Sequence, residues 1–134
     1  MKTNKILTFG VFDYFHLGHL RLFKQAKKFA DYLIVAVQDS NYVKKFKPDA
    51  EVFYSTEQKV ELLKSIKEID EVIIYKEATP KWLDTLNFDI LGLGEDQKNE
   101  RFDKLIFWCE QNNKKWVRLK RTPNISSSSI KNKD

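Results

Sequence analysis

Ile6-Leu7-Thr8-Phe9-Gly10-Val11-Phe12-Asp13-Tyr14-Phe15-His16-Leu17-Gly18-His19 decides the architecture of this 134-residue chain. Residues 6–11 are an almost uninterrupted apolar run of strand length, as expected of a strand buried on both faces. From residue 17 to residue 30 the period changes. Leu20, Phe23, Ala26, Phe29 and Ala30 recur at helical spacing. A buried strand therefore ends near Val11, and a helix begins near Gly18. The turn between them holds Asp13 and His16, and His19 lies just inside the helix.

The same alternation continues outward from this stretch. Tyr32 to Val37 is a continuous apolar run, typical of a central parallel strand. Ser55 or Thr56 is suited to cap a helix running through Val60, Leu62, Leu63 and Ile66. Glu71 to Tyr75 reads as a third strand. Pro80 opens a short helix through Trp82, Leu83 and Leu86. Phe88 to Gly94 is a fourth strand, 101–111 a helix, Lys115 to Leu119 a fifth strand, and 126–131 a terminal helical turn or two. Phe107, Trp108 and Trp116 read as core aromatics. Strands alternating with helices predict an α/β domain over 1–134, with an open parallel five-stranded sheet and helices on both faces. In such sheets ligands bind beyond the carboxyl ends of the strands.

Composition narrows the functional classes. The net charge of +5 comes from 24 basic and 19 acidic residues spread along the chain. They form no single basic stripe, which argues against a nucleic-acid partner. The single cysteine, Cys109, makes no internal disulfide and belongs to no metal-ligand spacing. No apolar run approaches the ~20 residues that a membrane helix needs, and the N-terminus shows no secretory signal. These features predict a cytoplasmic protein with no membrane partner.

His16 and His19 are the only two histidines. Three residues apart at a helix start, they share a face and converge on one small object. Gly18 removes a side chain between them. The helix N-terminus adds unpaired N–H groups and a positive partial charge. The combination suits a phosphate. A metal pair completed by Asp13 is the alternative. After the fifth strand comes Arg121-Thr122-Pro123-Asn124-Ile125-Ser126-Ser127-Ser128-Ser129. Serines at a helix start donate to phosphate oxygens, and an arginine grips them in bidentate fashion. A serine-rich tail is the other reading of this segment.

The string Gly-Val-Phe-Asp-x-x-His-x-Gly-His resembles the signature of the cytidylyltransferase-like nucleotidyltransferase superfamily. Residues 121–128 resemble its RTxGISTT motif, with Arg121, Thr122, Ile125 and Ser126 matching and Asn124 in place of glycine. Asparagine tolerates the left-handed conformation such a turn uses. Length and motif spelling are most similar to the glycerol-3-phosphate cytidylyltransferase group, whose members are short and typically homodimeric.

The resemblance implies a Rossmann-like nucleotidyltransferase fold. It implies direct in-line transfer of a cytidylyl group from CTP to a small phosphomonoester, releasing pyrophosphate. His16, His19, Lys45 and Lys47 would be catalytic. Phe9, Gly10, Val11, Phe12, Asp13, Gly18, Gly94, Asp96, Arg121, Thr122, Ile125, Ser126 and Ser127 would bind the nucleotide. Mg²⁺ would be held mainly by the phosphates, with Asp13 nearby. The loop containing Lys44-Lys45-Phe46-Lys47 also reads as a plain solvated basic loop. Lys59 and Lys67 stand where relatives often carry arginine, and lysine keeps the charge without the planar fork. Lys59 is carried as an acceptor-phosphate candidate and Lys67 as a surface residue. Trp82 fits an acceptor pocket or the core equally. An adenylyltransferase of the same superfamily, acting on a sugar phosphate or flavin precursor, shares both motifs, as would a non-catalytic nucleotide-binding module.

Overall fold

In the computed structural model the described residues are 4–12, 17–46 and 54–120, without the side chains of Val43, Lys44 and Phe46. Strands β1 (Lys5–Gly10), β2 (Tyr32–Gln38), β3 (Glu71–Tyr75), β4 (Ile90–Gly94) and β5 (Lys115–Leu119) alternate with helices α1 (Leu17–Phe29), α2 (Ser40–Phe46), α3 (Thr56–Lys64), α4 (Pro80–Asp84) and α5 (Glu100–Gln111). Among these residues the strands form one parallel sheet in the order β3-β2-β1-β4-β5.

The strand alternation divides the core between two sheet faces. Ile6, Leu33, Val35, Val37 and Leu119 pack with Phe23 and Ala26 of α1 and Leu63 of α3. Leu7, Phe9, Ile34, Ala36, Leu91 and Leu93 pack with Leu83 of α4 and Leu105 and Cys109 of α5. The central strands are thus covered on both sides, which is why they read as unbroken apolar runs. Ser55 and Gln58 form a reciprocal capping box at the start of α3. Thr79 caps α4, with Pro80 in its first turn.

Gly92 sits where β4 faces the α1 side of the sheet. A Cβ there would lie 3.1 Å from Thr8 Cγ2 and 3.2 Å from both Ile6 Cδ1 and Leu119 Cδ1. Gly92→Ala is expected to destabilise the fold by about 1–3 kcal/mol through overpacking. Urea unfolding of the variant checks this.

Three features differ from the expectations above. The basic segment after the second strand is helical over Ser40–Phe46 rather than a loop, and Lys45 stands exposed on that helix. A seven-residue helix with three apolar positions gives too little periodicity to be seen. Phe107 is not core. It is 63% exposed, because α5 turns Phe102, Leu105, Ile106 and Cys109 inward. Trp116 is 37% exposed on the edge strand β5, beneath the Arg118 guanidinium. Trp108, by contrast, packs against the core as expected. The expected helical turn at 126–131 lies outside the described residues.

Candidate active site

The chain leaves β1 toward β2 on one side and later returns to place β4 on the other. That reversal is a topological switch point between β1 and β4, where open α/β sheets bind ligands. The ladders mark the place. β1 pairs with β2 along its whole length, from Lys5↔Tyr32 to Gly10↔Val37. With β4 it pairs at Ile6↔Ile90 and Leu7↔Leu91. Beyond Leu7 the ladder to β4 ends.

The β1 wall of the crevice carries the predicted histidine turn. Phe12 adopts φ 57°, an unusual left-handed backbone for a bulky residue. Its buried ring folds back over Gly10, where a Cβ would lie 3.2 Å from the ring tip. The glycine is therefore needed for close approach. The same ring meets His19 edge-on at 5.2 Å and Phe23 at 5.8 Å. His19 and Gly18 are half-buried in the first turn of α1. The phenylalanine of the GxFD string thus braces the imidazole of the HxGH string. Val11 is exposed at the lip. Asp13 and His16 lie outside the described residues.

The β4 wall ends in Gly94, followed by exposed Glu95 and Asp96. Gln97 closes this turn. Its Oε1 accepts from Gly94 N–H at 2.9 Å, and its Nε2 donates to the Phe9 carbonyl across the crevice at 3.0 Å. Arg118 Nη1 donates to the Gly94 and Gln97 carbonyls at 2.9 and 2.8 Å. One turn into α1's far half, the Gln25 amide grips both sides of Lys120. It donates to the carbonyl at 2.7 Å and accepts from the N–H at 2.8 Å. This fixes the chain to α1 immediately before Arg121. Arg121, Thr122, Ile125, Ser126 and Ser127 themselves lie outside the described residues. Gln25, Gln97 and Arg118 carried no sequence signal beyond their polarity.

On the β2 side, Asp39 and Thr56 join the starts of α2 and α3. Thr56 Oγ1 accepts from Ser40 N–H at 2.9 Å and donates to Asp39 Oδ1 at 3.3 Å. One turn into α3 stands Lys59, only 1% exposed. An ammonium is costly to bury without compensating charge, so this is no ordinary surface lysine. Lys67 is exposed in the turn after α3, as a surface residue would be. Lys47 lies outside the described residues.

Trp82 is not brought to His19. It stacks on Tyr75 at 4.9 Å and meets Phe9 edge-on at 5.8 Å, on the α4–α5 face of the sheet. Burial raises the Tyr75 hydroxyl pKa well above its ordinary value, so it stays protonated. Burial also pushes the Cys109 thiol up to about 11, which leaves it unsuited to nucleophilic attack.

An open parallel sheet with His19 in the first turn of the helix that follows β1 is the architecture of a Rossmann-like nucleotidyltransferase. The chain belongs to the cytidylyltransferase-like family, which it matches over residues 7–133. It is 34% identical over 129 residues to the glycerol-3-phosphate cytidylyltransferase of Bacillus subtilis, covering 95% of this chain and 94% of that protein. It is 37% identical over 98 residues to an FAD synthase of Thermococcus sibiricus, covering 72% of this chain and 66% of that protein. The crystal structure of a lipopolysaccharide core biosynthesis protein from Thermoplasma volcanium superposes with a TM-score of 0.75 at 26% identity, covering 90% of this chain and 99% of that one. Among the described residues no helix is long and apolar enough to cross a membrane.

Proposed function

We propose that this enzyme transfers a cytidylyl group from CTP to a small phosphorylated alcohol, with glycerol 3-phosphate as the first acceptor to test. The observation that carries this reading is His19, braced by Phe12 at the mouth of the β1–β4 crevice. The end-to-end similarity to a glycerol-3-phosphate cytidylyltransferase supports the acceptor class.

The acceptor is a phosphomonoester, already ionised near neutral pH, so its attack needs no strong general base. One of its phosphate oxygens attacks the α-phosphorus of the nucleotide. The bond from the α-phosphorus to the α–β bridging oxygen breaks, and pyrophosphate leaves with that electron pair. The protein's work is positioning and charge stabilisation. His16 and His19 donate to phosphate oxygens as negative charge moves toward pyrophosphate. Lys45 and Lys47 offset the β- and γ-phosphate charge. Lys59, buried at the strand ends, pairs with the acceptor phosphate. The turns at 9–13 and 94–96, together with Gly18, Arg121, Thr122, Ile125, Ser126 and Ser127, hold the nucleotide.

Among the described residues no three His, Cys, Asp or Glu side chains converge on one point. Mg²⁺ is proposed as an ion carried by the nucleotide phosphates, its common mode, with Asp13 as the side chain carried over for it. Bound there, it would neutralise charge on the phosphates.

The similarity to an FAD synthase favours a second reading, adenylyl transfer from ATP. A thermal-shift panel of CTP, ATP, GTP and UTP with Mg²⁺ separates the two, since a ligand bound by the folded state raises its stability with concentration. The larger shift is expected with CTP. A shift confined to ATP would replace cytidylyl with adenylyl transfer.

A further inference from the structure

The geometry points to Gln97, seated by Arg118, as a positioning residue that sets the width of the nucleotide crevice. This rests on the nucleotidyl-transfer reading above.

A side-chain amide offers one acceptor and one paired donor, as a peptide unit does. β1 and β4 stop pairing after Leu7↔Leu91, which leaves the Phe9 carbonyl and the Gly94 N–H outside the ladder. Gln97 satisfies both, donating to Phe9 and accepting from Gly94. It bridges the two strand ends where the ladder has stopped, as a strut of fixed length. One end of the strut leads through Gly10 and Phe12 to the histidine turn. The other is the turn carrying exposed Glu95 and Asp96.

The strut is itself held. Gln97 N–H donates to the Gly94 carbonyl at 3.1 Å, closing the turn. A single Arg118 nitrogen then gathers the Gly94 and Gln97 carbonyls with charge-assisted bonds. The guanidinium also lies over the Trp116 ring at 5.7 Å. Arg118 shares that strand face with Trp116, two residues away. The exposed tryptophan on the edge strand therefore has a use: it seats the arginine that seats the glutamine.

A nucleotide bridging the two walls would depend on this spacing for its alignment, whereas the acceptor phosphate would not. Gln97→Leu removes both bonds. Gln97→Glu keeps the acceptor for Gly94 but loses the donor to Phe9 and sets a carboxylate against a carbonyl. Arg118→Met removes the clamp. Arg118→Lys keeps one cationic nitrogen able to serve both carbonyls.

The decisive experiment measures CTP affinity by calorimetry, steady-state kcat and both KM values, and hydrogen exchange at the Gly94 amide in the full chain. Gln97→Leu, Gln97→Glu and Arg118→Met should lose about 10–100-fold in kcat/KM for the nucleotide, as misplacement on the order of 1 Å does. The acceptor KM should stay within about twofold of wild type, with Arg118→Lys restoring most of the loss. Gly94 exchange should accelerate in Gln97→Leu. Unchanged nucleotide affinity and kcat in the Gln97 variants, or equal losses in Arg118→Lys and Arg118→Met, would overturn the strut. If Gln97→Leu fails to fold, the Arg118 pair decides by itself. A wild-type protein that binds no nucleoside triphosphate overturns the functional reading and the strut together. Normal binding in wild type and variants alike overturns the strut alone.

Discussion

Replacing His19 with alanine is expected to slow pyrophosphate release by about 10²–10³-fold, the usual cost of deleting one preorganised donor to developing charge. His16→Ala is expected to do the same. The structure supplies the control that separates chemistry from packing. His19 touches the Phe12 ring at 5.2 Å, and an aromatic contact of this kind contributes about 0.5–1.5 kcal/mol. His19→Ala removes both the donor and that contact. His19→Phe keeps a ring against Phe12 and removes only the donor. The two variants should therefore differ in unfolding midpoint yet share the same loss of turnover. Recovery of turnover in His19→Phe would mean that the imidazole acts only as packing for Phe12.

The second large effect is expected at Lys59. The residue is 1% exposed at the carboxyl end of the sheet, one turn into a helix pinned to β2 through Thr56 and Asp39. Lys59→Met keeps the length and apolar stem but deletes the ammonium. If Lys59 pairs with the acceptor phosphate, the acceptor KM should rise by about 10²-fold, in the range seen when a buried charge partner is truncated. The nucleotide KM should change little. An unfolding midpoint measured alongside separates loss of the acceptor contact from loss of folded protein. Lys59→Arg keeps a cationic donor able to meet a phosphate and should retain most activity. An unchanged acceptor KM in Lys59→Met, with altered stability, would make Lys59 a purely structural residue.

The fold was legible because its central strands are buried on both faces. The 32–37 run alternates between the two core layers yet is apolar at every position, which marks a central parallel strand. What could not be read was any feature fixed by distant partners. The order β3-β2-β1-β4-β5 follows from where the crossovers land, not from any local segment. Phe107 looked like core because it is large and apolar. Its phase on α5 relative to Leu105 and Cys109 was the signal that would have placed it outward. Trp116 alternates with inward-facing Val117 and shares a face with Arg118, a charged residue in a strand that itself hinted at an exposed edge.

The site divides along the same line. His19, Gly18 and Phe12 were legible because one contiguous string builds that wall. Gln97 was not, since its function depends on where the ladder between β1 and β4 ends, and these strands are separated by more than seventy residues of chain. Lys59 was noticed through the resemblance alone, and its burial could not be read from the segment around it. Trp82 offered two readings, and its packing on Tyr75 and Phe9 as a partly buried ring is compatible with both.

The central claim is nucleotidyl transfer to a phosphorylated alcohol. Its most direct test is pyrophosphate release with CTP and Mg²⁺ against a panel of polyol and amino-alcohol phosphates. Release is expected to require both CTP and a phosphomonoester, to be largest with glycerol 3-phosphate or a related polyol phosphate, and to fall by about 10²–10³-fold in His16→Ala and His19→Ala. Tight CTP binding with no pyrophosphate release from any acceptor in the panel would contradict it.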